Sequence, residues 1–276
     1  MESINVMVNG LPGRVAEAVA RHVLSDGRFE LIPFSFTGPE ISEGETRVMD
    51  ASVCLVRAQE RDAALAKVKA VSPDFITVDF THPSAVNQNG EYYCRNVLPF
   101  VMGTTGGNRD QLAEAVRKSS TAAVIAPNMA KQIVGFQAMM EYAARSFPGL
   151  FESYRLEIRE SHQKGKADTS GTAKSMVTYF NDLGVPFAEA DIRKERDPER
   201  QKNVWGIPEE FITGHGWHTY TLTSADGTVR FEFTHNVNGR EIYARGTLDA
   251  IAYLRAKLQQ GARGKVFSMI DVLQGA

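Results

Sequence analysis

Apolar and polar positions along this 276-residue chain switch between two periods, and the switches mark its elements. Ile4, Val6 and Val8 run into Gly10-Leu11-Pro12-Gly13-Arg14, after which Val15, Ala18, Val19 and Val23 recur at helical spacing. Phe29 to Phe36 reads as a second strand and Ala51 to Val56 as a third, followed by a helix over Ala63 to Val71. Phe75 to Phe80 is a buried strand, and Ser84 to Asn96 is a helix that begins after Pro83. Phe100-Val101-Met102 ends in the small-residue turn Gly103-Thr104-Thr105-Gly106-Gly107, then Gln111 to Lys118 returns as a helix and Ala122 to Ile125 as a strand. Strands alternating with helices predict a parallel, doubly wound sheet. Ligands of such sheets sit beyond the carboxyl ends of the strands. The turns Gly10–Arg14, Asp79–Thr81 and Gly103–Gly106 all fall at those ends.

After Asn128 the rhythm changes. Lys131 to Arg145 is a long helix with Ile133, Phe136, Met140 and Ala144 on its apolar side. Tyr154, Leu156 and Ile158 then alternate with Arg155, Glu157 and Arg159, the signature of a half-buried strand. Ala173, Met176, Val177 and Phe180 return to helical spacing, with Asp168, Thr169 or Ser170 placed to cap the first turn. The charged stretch Lys194 to Lys202 reads as a solvated loop or helix face. Ala225-Asp226-Gly227 is a hairpin turn between Tyr220/Leu222 and Val229/Phe231/Phe233. Leu248 to Leu258 is a final helix, and Val266 to Leu273 a short apolar tail. The pattern predicts an α/β chain in two parts. A Rossmann-like dinucleotide-binding domain spans 1–129 with 246–276, and an α+β domain with a mixed sheet is inserted at 130–245.

Composition narrows the function. The 43% apolar content fills a sizeable core, and a net charge of −2 gives no basic footprint for nucleic acid. No apolar run approaches the ~20 residues that span a bilayer. The first strand begins at Ile4, which leaves no room ahead of it for a signal or transit peptide. Cys54 and Cys94 make no disulfide framework and sit in apolar contexts, so a reducing, cytoplasmic address is expected. Gly214-His215-Gly216-Trp217-His218 has no Cys or carboxylate cluster beside it, so it reads as a packed or solvated histidine pair, and no metal is expected.

Two stretches carry chemistry. In the first, Gly10 allows a tight strand-to-helix turn and Gly13 a close approach of backbone to a pyrophosphate, although Pro12 stands where the full fingerprint has glycine. The end of the second strand, Phe34-Ser35-Phe36-Thr37, lacks the acid that selects a free ribose hydroxyl. Ser35 and Thr37 would hydrogen-bond a phosphate and Arg14 would supply charge, so NADPH is expected to serve at least as well as NADH. The second stretch is Glu160-Ser161-His162-Gln163-Lys164-Gly165-Lys166-Ala167-Asp168-Thr169-Ser170-Gly171-Thr172-Ala173. Here a strand delivers a histidine and a lysine into a loop that ends at a helix N-terminus, where unpaired N–H groups and the dipole attract anions. That describes a proton donor beside a carboxylate or phosphate receptor.

With these residues assembled, the chain resembles the dihydrodipicolinate reductase (4-hydroxy-tetrahydrodipicolinate reductase) family over essentially its whole length. The resemblance rests on Val8 to Arg14, Val78-Asp79-Phe80-Thr81, Gly103-Thr104-Thr105-Gly106, Ala126-Pro127-Asn128-Met129 and above all the segment from Glu160. The family signature there is Glu-x-His-His-x-x-Lys-x-Asp-Ala-Pro-Ser-Gly-Thr-Ala. This chain keeps Glu160, His162, Lys166, Asp168, Ser170, Gly171, Thr172 and Ala173, has Gln163 for the second histidine, and has Thr169 alone for the Ala-Pro pair. Both departures, and Phe231-Glu232-Phe233-Thr234-His235-Asn236-Val237, look like the plant-type branch. The resemblance implies a Rossmann-like domain, a substrate and oligomerisation domain with a mixed sheet, and assembly as a homodimer or homotetramer. It implies reduction, by NADPH or NADH, of the cyclic imine formed from 4-hydroxy-tetrahydrodipicolinate, a small dicarboxylate, to tetrahydrodipicolinate in lysine and diaminopimelate synthesis. By position, His162 would be the general acid and Lys166 its partner, with Gln163, Ser170, Gly171 and Thr172 at the substrate. Gly10, Leu11, Pro12, Gly13, Arg14, Val15, Phe80, Thr81, Gly103, Thr104, Thr105, Ala126, Pro127, Asn128 and Met129 would lie at the cofactor. Two alternatives stand beside this: a plant-type relative reducing a different cyclic imine, and a nucleotide-binding assembly factor without turnover.

Overall fold

A computed structural model describes residues 3–166 and 168–275. The chain forms two compact units, one made of residues up to Lys131 together with those from Glu241 onward, the other of Gln132–Arg240.

The first unit opens with β1 (Ile4–Asn9), α1 (Arg14–Ser25) and β2 (Phe29–Leu31). The expected single strand from Phe29 to Phe36 is two. Pro33 has no N–H to give a ladder, so β2 ends beside β1 and the chain restarts as β3 (Phe34–Phe36) in another sheet. That sheet has three strands, in the order β3-β5-β4, formed with β4 (Glu45–Val48) and β5 (Ala51–Val56). The expected third strand of the parallel sheet therefore belongs to a separate layer. Then come α2 (Arg61–Val71), β6 (Phe75–Asp79), α3 (Val86–Arg95), β7 (Phe100–Met102), α4 (Arg109–Arg117) and β8 (Ala122–Ile125). β6 and β7 are buried at every residue, as strands covered on both faces must be.

The second unit holds most of α5 (Lys131–Ser146), then β9 (Arg155–His162), α6 (Gly171–Asp182), β10 (Arg193–Glu195), α7 (Pro198–Asn203), β11 (His215–Thr223) and β12 (Arg230–Asn238). Its mixed sheet runs β10-β9-β11-β12, with β10 parallel to β9 and the other pairs antiparallel. Ile158, Tyr220 and Leu222 of the sheet pack with Met140 and Ala144 of α5 and with Met176, Val177 and Phe180 of α6.

The chain then rejoins the first unit as α8 (Glu241–Gln259), β13 (Lys265–Phe267) and α9 (Met269–Gly275). The expected apolar tail is thus a strand and a helix. β13 extends the parallel sheet to six strands in the order β2-β1-β6-β7-β8-β13. The order reverses between β1 and β6, which makes a crevice at their carboxyl ends.

Candidate active site

The first unit builds its turns around one buried carboxylate. Asp79, at the end of β6, is fully buried. Its Oδ1 accepts from Thr81 N, Thr81 Oγ1 and Thr104 Oγ1, and its Oδ2 from Tyr93 OH (2.7 Å) and Asn89 Nδ2 (2.9 Å). Asn9 reaches the same phenol and accepts from Phe36 N. The carboxyl ends of β1, β6 and β7 are locked together this way, because a buried carboxylate is stable only when its lone pairs are used. Gly10 has φ +102°, and a Cβ there would stand 2.2 Å from the Phe80 carbonyl oxygen. Only glycine fits that turn.

Among the expected cofactor residues, Pro12, Gly13, Arg14, Thr105 and Pro127 are exposed and Val15, Phe80, Thr81 and Asn128 are half-buried. Leu11, Gly103, Thr104, Ala126 and Met129 are buried. Ser35 and Thr37 do not face outward to a phosphate. Both are buried, Ser35 Oγ accepting from Leu11 N (3.2 Å) and Thr37 Oγ1 donating to Leu11 O (3.0 Å). They brace the Gly10–Gly13 turn from behind.

The second unit's site follows from strand register. On one face of its sheet, Ile158 lies beside Tyr220 and Tyr220 beside Phe233; one step along, Glu160 lies beside His218 and His218 beside His235; one step further, His162 lies beside Gly216. An apolar face thus becomes an ionisable one within four residues. His162 is the last residue of β9 rather than a loop residue. A Cβ on Gly216 would come within 3.0 Å of His162 Cε1, so Gly216 is the floor under the imidazole.

Glu160 is fully buried and fully engaged. Oε1 pairs with Arg196 at 2.5 Å; Oε2 accepts from Ser170 N (3.2 Å) and lies 3.6 Å from His218 Nε2 and 3.9 Å from His162 Nε2. Although burial disfavours its charge, bonds from His218 and Arg196 outweigh it and hold the carboxyl far below the usual range. Arg196 also donates to Lys166 O (2.7 Å) and ties the loop to the sheet. Gln201 of α7, fully buried, donates to the His162 carbonyl at 2.7 Å. The charge run from Lys194 is therefore not solvated throughout: two of its residues support the site.

Lys166 Nζ pairs with Asp168 at 2.9 Å. Ser170 caps α6, its Oγ accepting from Ala173 N (3.0 Å) and meeting His218 Nε2 at 2.8 Å. Gln163 and Thr172 are half-buried and Gly171 is exposed. Burial, then the charge on His218, hold the His162 imidazole down at about 3; Glu160 opposes this, and Arg196 and Lys166 add to it. Glu160, His162 and His218 also converge as metal ligands would, their donor atoms lying within 4.8 Å of one another. However, Arg196 occupies one Glu160 oxygen and Ser170 N the other, so a cation there would displace bonds and face a guanidinium.

A switch-point crevice with a glycine turn, and a sheet that ends in a histidine beside a helix N-terminus, define a nicotinamide-dependent reductase of small anions. The chain belongs to the dihydrodipicolinate reductase family. The N-terminus of that family matches residues 4–129 and its C-terminus residues 133–273. A probable 4-hydroxy-tetrahydrodipicolinate reductase 1, chloroplastic, of Oryza sativa subsp. japonica is 46% identical over 99% of this chain and 79% of its own length. The chloroplastic 4-hydroxy-tetrahydrodipicolinate reductase 1 of Arabidopsis thaliana is 45% identical over 98% of this chain and 78% of its own. In structure, the dipicolinate-bound dihydrodipicolinate reductase from Paenisporosarcina sp. TG-14 shares the fold, with a TM-score of 0.64 at 18% identity over 97% of this chain and 98% of that one.

The chain is thus an oxidoreductase that reduces the cyclic imine from 4-hydroxy-tetrahydrodipicolinate with a nicotinamide dinucleotide, in lysine and diaminopimelate biosynthesis. The expected cytoplasmic address does not hold. The plant relatives are named as chloroplastic, and reduced cysteines fit an organelle interior as well as a cytoplasm.

Proposed function

We propose that His162 is the proton donor of this reduction and that Lys166, Gln163 and the α6 N-terminus at Ser170, Gly171 and Thr172 hold the substrate carboxylates. The residues of 1–129 with 246–276 would hold the nucleotide, and those of 130–245 the substrate. The observation that carries this reading is the charge around His162. Burial, then His218, disfavour its imidazolium most and Arg196 and Lys166 add to this, while α6 begins at the end of the same loop. A dicarboxylate supplies the missing negative charge, so the donor becomes chargeable when the substrate arrives. Dipicolinate, the molecule bound to the Paenisporosarcina reductase, is such a dicarboxylate. After hydride addition the electron-rich enamine carbon takes the proton from Nε2, and the N–H bonding pair stays on nitrogen. His162→Ala should lower kcat about 10²- to 10⁴-fold, with nucleotide affinity unchanged; a near wild-type kcat would end the assignment.

NADPH is proposed to serve at least as well as NADH. The support is the lack of an acid at 34–37 and the exposure of Arg14 at the start of α1, not the buried Ser35 and Thr37. The same assay run with each nucleotide decides this by kcat/KM, and a ratio strongly favouring NADH would overturn it.

A further inference from the structure

The charged stretch from Lys194 to Lys202 supports the site but has so far no part in substrate binding. Its Arg196 lies against the loop that joins β9 to α6. Nε donates to the Lys166 carbonyl at 2.7 Å, and Nη2 to the Asp168 carbonyl at 3.4 Å and to Glu160 Oε1 at 2.5 Å. Nη1 donates to the Glu195 carbonyl at 2.9 Å, which anchors the guanidinium to the end of β10. Gln201, fully buried, donates from Nε2 to the same Glu195 carbonyl (3.2 Å) and to that of His162 (2.7 Å). Lys194 Nζ reaches Thr169 Oγ1 at 3.4 Å. The carbonyls of His162, Lys166 and Asp168 are thus held by two side chains of the charged stretch.

The loop needs such a hold. Among the described residues it makes one main-chain bond of its own, from Lys166 N to Gln163 O (3.0 Å). A segment with so few internal bonds has no fixed shape unless its carbonyls find partners elsewhere. Glu160 completes the frame. Its Oε1 takes Arg196 and its Oε2 takes Ser170 N (3.2 Å), so one buried carboxylate ties the middle of the loop to its end. With its charge matched by Glu160 and four bonds made within the protein, Arg196 is left to hold the loop rather than the ligand. The Lys166 ammonium stands apart from the frame. It pairs with Asp168 Oδ1 at 2.9 Å, and the Asp168 side chain is 76% exposed. The ammonium is therefore turned toward an exposed carboxylate while the main chain of the same residue is fixed to the guanidinium. The planar fork of an arginine can serve a carboxylate and two carbonyls at once; the point charge of a lysine cannot keep all three.

We propose that Arg196 is a positioning residue for substrate binding: it fixes the main chain at Lys166 and Asp168 so that the Lys166 ammonium stands ready for a substrate carboxylate. This rests on the reading in which Lys166 holds that carboxylate, and deepens it. Ordering the loop in advance removes an entropy cost that the substrate would otherwise meet on binding. The gain falls on affinity rather than on hydride or proton transfer, so its loss should appear in KM and not in kcat.

A double-mutant cycle on the full chain tests this, with initial rates taken against the cyclic imine at saturating NADPH and urea midpoints measured alongside. Arg196→Lys keeps a cation for Glu160 but gives up carbonyl bonds. Its KM for the imine should rise about 10-fold or more, with kcat and the KM for NADPH near wild type. Lys166→Ala should raise the same KM, and adding Arg196→Lys to it should raise it little further, because both act through one ammonium. Additive losses, or Arg196→Lys at wild-type KM with only a lowered urea midpoint, mean a purely structural arginine and overturn the proposal. If the lysine variant does not fold, Arg196→Ala assayed with millimolar guanidinium ion takes its place. The ion should lower KM where sodium does not, and an equal KM with both overturns the role. Failure of the underlying reading shows differently, as a wild-type KM in Lys166→Ala itself, which removes the positioning role along with it.

Discussion

At the residue scale, the carboxylate of Glu160 sets the character of the site. It is fully buried, and Arg196, Ser170 and His218 converge on it. A buried charge stripped of its partner is costly, so Arg196→Ala should destabilise the fold by about 3–5 kcal/mol, read as a shift in urea midpoint. The pH dependence has a definite sign. The folded carboxyl lies below its unfolded value of about 4.3, so its contribution is complete above that value and is lost as pH falls through the lower folded one. Unfolding midpoints measured from about pH 6 down to pH 3 should fall in wild type and fall less steeply in Glu160→Gln. An unchanged slope would mean that Glu160 is not charged in the folded state. Spacing alone does not mark Gly216, Gln201 and Arg196 as site residues. Yet counting back from Leu222 and Tyr220 at period 2 reaches His218 and then Gly216, so one strand's alternation already holds part of the site.

At the element scale, strong periodicity makes the alternating half of the fold legible, from α1 through β8. What escapes is short or set by pairing. β4 has four residues with only Thr46 and Val48 turned inward, and β13 has three, too few for a period to register. The break at Pro33 is visible as a residue, but only the partners of β2 and β3 show that it sends them into different sheets. The charged stretch misleads for another reason. Composition alone does not distinguish an arginine in water from one aimed at a buried glutamate. α8 illustrates a constraint that no pattern reveals: a Cβ at Gly246, within the helix, would lie 1.7 Å from the Met129 carbonyl oxygen. Backbone meets backbone there and neither can rotate away. Gly246→Ala should therefore destabilise the protein by about 3 kcal/mol or more, against the ~1 kcal/mol gain that Ala brings over Gly in an ordinary exposed helix; a gain in Tm would refute the close approach.

At the scale of the whole molecule, several large apolar side chains of the second unit stand exposed. In the second unit Met139 is 64% exposed and Tyr142 68%, with Phe147, Leu150, Val229 and Phe231 also exposed. Side chains of that kind are where a second copy of the chain would pack. We propose a homodimer or homotetramer, and sedimentation at micromolar concentration should show one or the other; a monomer at every concentration would contradict it.

The strand that closes the parallel sheet is made last. β8 ends at Ile125, but its outer partner β13 does not begin until Lys265, beyond the whole inserted unit. During synthesis the ribosome therefore releases β8 with a bare edge and completes Gln132–Arg240 before the residues that cover that edge exist. The first unit is encoded first and finished last, and for that interval β8 offers its edge to any other strand. A nascent chain stalled after α5 should accordingly be the aggregation-prone stage in this protein's manufacture, whatever the stability of the finished fold.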